Sequence, residues 1–390
     1  MSPAFKKDEY HRRIELVRAS MRKRGLEVLL VGDPSNINWL TGYDAWSFYT
    51  PQMLLLDLHG GPFWIGREMD SGAASFTTFL TPLQVVSYPE ALVQRDDKHP
   101  SDFVAEWMEK SGYGAAVIGY ESDAYYTSPR SIAILKFHLQ NAKWVEADLL
   151  VNWERLVKSE VELKVMQQAA TIADLAMQTA WEKIQPGVRQ CDLMADIISA
   201  QIKGTSKFGG DITALHPLIL VGKMASTAHP LWTDAKLEKD QIVAFELGGC
   251  RNRYNVGLAR TVQIGSKKPK EFVDTVKAVE EGMEAVLGTL RANVPASEVH
   301  KQWQLVLNRY GMEKKSRIGY SIGVGYPPDW GERTVSFREK ERVKVPQNAV
   351  VHIILGMWMT GWGMELSETI HVREHDCVAL SKLSRDVRVI

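Results

Sequence analysis

Twice in this chain a long amphipathic helix pattern runs into a proline, a second helix pattern follows, and strand-forming residues come next. The first copy runs through Leu163, Met166, Ile172, Leu175 and Met177, stops at Pro186-Gly187, and resumes through Leu193 and Ile197. Ser159 and Glu162 mark its start as a capping box. The second copy covers 272–290, breaks at Val294-Pro295, and resumes from Val299 to Leu307. A unit that recurs in this way predicts an internally duplicated domain whose halves face each other and build a site between them. Two helical hairpins arising independently would give the same pattern.

The residues ahead of this duplication predict a separate α/β domain. Tyr10, Ile14, Val17 and Met21 lie at helical spacing before Gly25. Short strand runs follow at 28–31, 53–56, 63–65, 85–88, 116–118 and 144–146, with helices at 101–111 and 128–139. Strands alternating with helices imply a mixed or mainly parallel sheet with covered faces. The boundary falls just after Asn152, giving domains 1–155 and 156–390.

Charge narrows the function. Lys+Arg 47 balance Asp+Glu 47, whereas nucleic acid or an anionic membrane calls for a basic excess. Neither is an expected partner. Three scattered cysteines, Cys191, Cys250 and Cys377, exclude a disulfide framework and a Cys-based zinc site. The charged start MSPAFKKDEYHRR lacks the apolar run of a secretory signal, and no stretch is long and apolar enough to span a bilayer. The expected location is the cytoplasm.

The last third is rich in aromatic residues: Tyr320, Tyr326, Trp330, Trp358 and Trp362. Core filling accounts for any one of them. In the run 356–364, however, glycines alternate with large rings, which suits a pocket wall better than a close-packed strand.

A family resemblance rests on several segments taken in order. Val157-Lys158-Ser159, the helix carrying Ala169-Ala170, and Ile184-Gln185-Pro186-Gly187-Val188 resemble the opening of the pita-bread domain of Xaa-Pro aminopeptidases, prolidases, methionine aminopeptidases and creatinase. His229-Pro230, the strand 242–247 and Ala259-Arg260-Thr261 continue the likeness. The resemblance implies an α/β N-terminal domain followed by an α+β pita-bread domain with pseudo-two-fold duplication.

The peptidases of this family hold two metal ions with two Asp, one His and two Glu. Their positions fall here on Glu246, Gly257, Tyr320, Ile354 and Ser367, with Glu365 or Glu368 taking the last place if the register slips. A transition ion needs several N or O donors that converge, and this set does not supply them. The expectation is therefore an enzyme with no metal and no cofactor. The chain is similar to the metal-independent branch of the family, which acts on cationic carbon–nitrogen centres. The loop 41–49 points to a member that opens a cyclic amidine.

For such a small zwitterionic substrate the residues divide as follows. Glu246, inside the apolar run 242–245, is the nucleophile or the anionic partner of the amidinium, and His229 transfers protons. Tyr320, Tyr254, Trp330, Trp358 and Trp362 line the pocket. Strand alternation sends only one of Glu365 and Glu368 inward, leaving the other solvated. His352, His371 and His375 read as structural. Asp44, Trp46, Phe48 and Tyr49 lie on the loop that in creatinase relatives reaches the neighbouring subunit's site, which implies a homodimer with shared pockets. Two other functions stay open: a creatinase-like hydrolase of a linear guanidino compound, disfavoured by Thr50 where creatinase has an Arg, and a non-catalytic binding protein.

Overall fold

A computed structural model describes residues 3–390, and the chain divides into two compact units, one ending at Arg155 and the other running from Leu156 to Ile390. The first contains helices α1 (Lys7–Lys23), α2 (Pro34–Thr41), α3 (Ser71–Thr77), α4 (Pro100–Lys110), α5 (Pro129–His138) and α6 (Leu150–Arg155). Its strands are β1 (Val28–Val31), β2 (Met53–Asp57), β3 (Phe63–Arg67), β4 (Val85–Tyr88), β5 (Val117–Tyr120) and β6 (Lys143–Glu146), in the sheet order β4-β3-β2-β1-β5-β6. The sheet is mixed. β1 pairs antiparallel with β2 and parallel with β5. The short helix α2 was not evident from hydropathy. Capping explains it: Asp33 accepts a hydrogen bond from the Ser35 amide at 2.7 Å, and Gly42 closes the helix at φ 84°.

The second unit shows the repeated pattern. Helices α7 (Glu160–Lys183) and α8 (Gln190–Lys203) precede strands β7 (Leu218–Val221), β8 (Ile242–Arg251) and β9 (Tyr254–Gln263). Helices α9 (Phe272–Thr289) and α10 (Ala296–Arg309) precede β10 (Gly319–Tyr326), β11 (Asp329–Ser336), β12 (Val350–Met359) and β13 (Trp362–Val372), with β14 (Cys377–Ala379) and β15 (Arg388–Val389) at the end. The strands form one sheet in the order β14-β13-β12-β10-β9-β8-β7, to which β11 adds beside β10 and β15 beside β9.

One face of this sheet carries the helices. A Cβ on Gly249 of β8 would lie 2.0 Å from the Ala169 carbonyl oxygen, so only glycine lets α7 rest directly on the strand. Leu355 and Met283 belong to the core under α9 and α10, which also takes in Trp303. The opposite face is free to build a site.

A buried ion pair ties the start of this unit to its sheet. The Lys158 ammonium donates to both carboxylate oxygens of Glu332 at 2.7 Å, with both side chains 1% exposed. Replacing one partner strands the other charge in a dry interior. Lys158→Met should therefore lower unfolding free energy by about 3–5 kcal/mol. Denaturant titration of Lys158→Met against the Lys158→Met/Glu332→Leu double variant checks this, and the double variant should recover much of the loss.

Candidate active site

Strand alternation places Glu246 and Gly248 of β8 on the face away from α7, opposite Ala259 and Gly257 of β9. Tyr320 of β10 pairs with His352 of β12, and Trp330 of β11 stands beside both. The Trp330 indole N–H donates to the Tyr320 hydroxyl at 2.9 Å. The Tyr320 hydroxyl also lies 3.4 Å from His352 Nδ1, and His352 Nε2 lies 2.7 Å from Ser367 Oγ. The cluster continues along β13 to Glu365.

Side-chain hydroxyls stitch β13 to the middle of β9, between the points where β10 and β15 pair with it. Ser367 Oγ accepts from the Ala259 amide at 2.6 Å. Thr369 Oγ1 accepts from the Gly257 amide and donates to its carbonyl, and Thr261 Oγ1 does the same for Glu365. These bonds set the heights of Glu246, His352 and Glu365 relative to one another.

Charge is poorly compensated here. Glu246 is 5% exposed, and its carboxyl takes no hydrogen bond from any described residue. Burial, reinforced by the Asp329 carboxylate, pushes it up to about 7. Glu365 is fully enclosed, and its Oε2 has no hydrogen-bond partner among the described residues. Burial first, and the Glu246 charge second, raise it well above the usual carboxylate range. Burial and mutual repulsion thus favour the protonated form of both glutamates, and of Glu365 more strongly. Tyr320 is raised by burial and by Glu246, so it stays a phenol. Burial takes His352 down to about 3, leaving a neutral imidazole.

Lys314 is the residue sequence reasoning missed. It sits in the turn after α10, yet its side chain lies on the site face. Its ammonium donates to the Gly356 carbonyl and lies 3.9 Å from the Trp358 ring centroid. Burial pushes it down to about 7, partly offset by Glu365. Only its position after a helix could have hinted at this, and surface lysines share that position. His352 was read as structural, but it lies at the centre of the cluster.

Other residues fall elsewhere. Neither glutamate of β13 is solvated, contrary to expectation. Glu368 points to the other face and is 1% exposed, held by Arg260 at 2.7 Å and Arg385 at 3.1 Å. Its carboxylate is occupied by structural cations. Trp362 packs against Phe272 in the core rather than on a pocket wall. The Tyr254 hydroxyl donates to Glu162 of α7 at 2.7 Å, on the helix side of the sheet. His229 is exposed in the loop before β8. In the first unit, Trp46 and Tyr49 are exposed, Phe48 packs between the Trp46 and Tyr126 rings, and the Asp44 amide donates to Thr77.

Comparison with known proteins places this geometry in a lineage. Residues 164–374 match the model of metallopeptidase family M24, and residues 13–157 match the creatinase/prolidase N-terminal domain. The ectoine hydrolase of Halomonas elongata is 36% identical over 100% of this chain and 99% of its own length. An uncharacterized hydrolase/peptidase of Sinorhizobium fredii is 38% identical, covering 94% of each chain. Among solved structures, the Thermococcus sibiricus prolidase superposes with a TM-score of 0.84 at 20% identity, over 98% of this chain and 99% of that one. The chain belongs to metallopeptidase family M24, with a creatinase-type N-terminal domain and a pita-bread C-terminal domain, and it is a hydrolase of that family.

The family implies a metal centre, and the donors present do not fit one. Among the described residues no three His, Cys, Asp or Glu side chains are grouped to hold an ion. A Cβ on Gly257 would lie 2.7 Å from His352 Cε1, so the imidazole fills the space an acid at that position would need.

A carboxyl held above its ordinary value of 4.5 binds its proton more tightly folded than unfolded. That stabilising contribution is present below the ordinary value and is lost as pH rises towards about 7. Glu246→Gln should therefore raise the thermal midpoint at about pH 8 and have little effect at about pH 5. Scanning calorimetry at the two pH values measures this.

Proposed function

We propose that this protein opens the ring of a cyclic amidine, ectoine or its hydroxylated form, to an N-acetylated diaminobutyrate without using a metal, in the breakdown of a compatible solute. The observation that carries this reading is Glu246: a buried carboxylate with no hydrogen bond, on a face lined by Tyr320, Trp330 and Trp358. A planar amidinium offers what that carboxylate lacks, two parallel N–H donors and a positive charge. Aromatic faces add cation–π attraction. The full-length relative named ectoine hydrolase supports the substrate.

In this mechanism ionised Glu246 attacks the amidine carbon. One ring C–N bond then breaks, and the departing nitrogen takes the proton that Glu365 holds. Water attacks the resulting imidate, expels Glu246, and returns a proton to Glu365. The Tyr320 hydroxyl steadies the developing tetrahedral centre. Neutral His352 holds Tyr320 in place. None of the three cysteines is in a disulfide, which fits a reducing cytoplasm, and among the described residues no helix is long and apolar enough to cross a membrane.

Glu246→Gln should abolish turnover, exceeding the ~10²–10⁴-fold loss typical of one acid–base group. His229→Ala should cost less than that range, because Glu365 carries the proton transfers and His229 is exposed outside the buried cluster. Because Glu246 must be ionised while Glu365 keeps its proton, kcat/KM should rise as pH approaches about 7 from below, and fall again once the protonated groups of the site are lost. Following ring opening by NMR tests all three points. Turnover should survive extensive chelation, and activity that returned only with added manganese, cobalt or zinc would refute the metal-free reading.

Exposed Trp46 and Tyr49 are proposed to enter the neighbouring site of a homodimer. Tyr49→Ala should lower activity without unfolding the protein, and mixing it with inactive Glu246→Gln protein should then restore some activity through hybrid dimers. Assaying mixtures at several ratios checks this.

A further inference from the structure

The amidinium end of the proposed substrate is matched by Glu246, but its carboxylate still needs a partner. Lys314 has the properties of one. Its side chain is 8% exposed, and no carboxylate lies within ion-pairing distance of it among the described residues. Of its three N–H donors, one goes to the Gly356 carbonyl, and the other two take no described acceptor. The Trp358 ring beneath the ammonium fixes its place and gives partial compensation. A buried cation without a counter-ion is costly unless a ligand anion completes it.

The neighbouring groups do not fill that role. Glu365 of β13 is the nearest acid that acts on Lys314, but it holds its own proton. Glu246 acts on Glu365 and is not among the groups that act on Lys314. On the outer side Lys314 also lines a groove against α10, where Glu298 pairs with Lys301, Glu313 with Lys315 and Glu339 with Lys340, and none of them makes an ion pair with Lys314. His300 is held below its ordinary value by burial and adds no charge near neutral pH.

We propose that Lys314 binds the carboxylate of the substrate and thereby selects carboxylated cyclic amidines over the bare ring. This rests on the amidine reading of the site. Glu246 and Lys314 then grip opposite charges of one zwitterion, with Glu365 between them where the leaving nitrogen emerges. Trp358 is the wall that keeps the ammonium turned inward.

The test compares ectoine with the same ring lacking its carboxylate. In Lys314→Met, kcat/KM for ectoine should fall by about 30-fold or more, carried by KM, as when one partner of a buried charge pair is removed. The inhibition constant of the bare ring should hardly change. A second measurement needs no variant. Lys314 loses its proton above about 7, so the wild-type KM for ectoine should rise there. Affinity for the bare ring should not fall, because Glu246 becomes ionised over the same interval. Equal losses for both ligands in Lys314→Met, or identical pH trends for both in the wild type, would overturn the assignment of Lys314. Wild-type protein that neither turns over ectoine nor binds the bare ring would overturn the amidine reading itself, and this inference with it.

Discussion

Everything in the catalytic unit hangs on the seam between β9 and β13. Each strand has a hairpin partner on one side, and on the other its ends pair with β10 and β15 or with β14, so only the middle stretches, 257–261 and 365–369, would otherwise leave amides and carbonyls without partners. Three hydroxyls, from Thr261, Ser367 and Thr369, satisfy those groups across the gap. A side chain is longer than a direct ladder bond. The strands therefore stand further apart than in a sheet, leaving width for His352, Tyr320 and two glutamates. Ser367 takes part in both systems, accepting from the Ala259 backbone and contacting the imidazole.

The poor charge compensation follows from that frame. Water that would solvate the carboxyls of Glu246 and Glu365 is excluded, and the pair meets the exclusion by retaining a proton. In the proposed mechanism this gives one acid and one base of the same residue type from position alone. Stability is sacrificed locally, and the helix-backed core beneath the sheet supplies it elsewhere.

The duplicated architecture was legible because it is written in local signals: a capping box, helical periodicity, and proline breaks. Glu246 was legible because a charge inside an apolar strand has few bland explanations. What the sequence concealed were encounters between distant segments. Alternation says that Glu365 and Glu368 part company, but only Arg260, more than a hundred positions away, shows which of them faces the core. Lys314 looks like any lysine after a helix until the Trp358 ring closes over it. Trp362 belongs to a glycine-rich run that resembles a pocket wall, yet Phe272 draws it into the core. His352 misled for the opposite reason: apolar neighbours on a strand suggest a packed histidine, and it is packed, but against the chemistry.

The contact between Gly257 and His352 also limits what single substitutions can build here. An aspartate placed at Gly257 would strike the imidazole, and removing the imidazole alone would leave a void beside Tyr320 without creating a ligand. Either change by itself damages the packing of the cluster and gains no donor set. Engineering a metal centre into this sheet is therefore a two-strand problem, in which β9 and β12 have to be redesigned together.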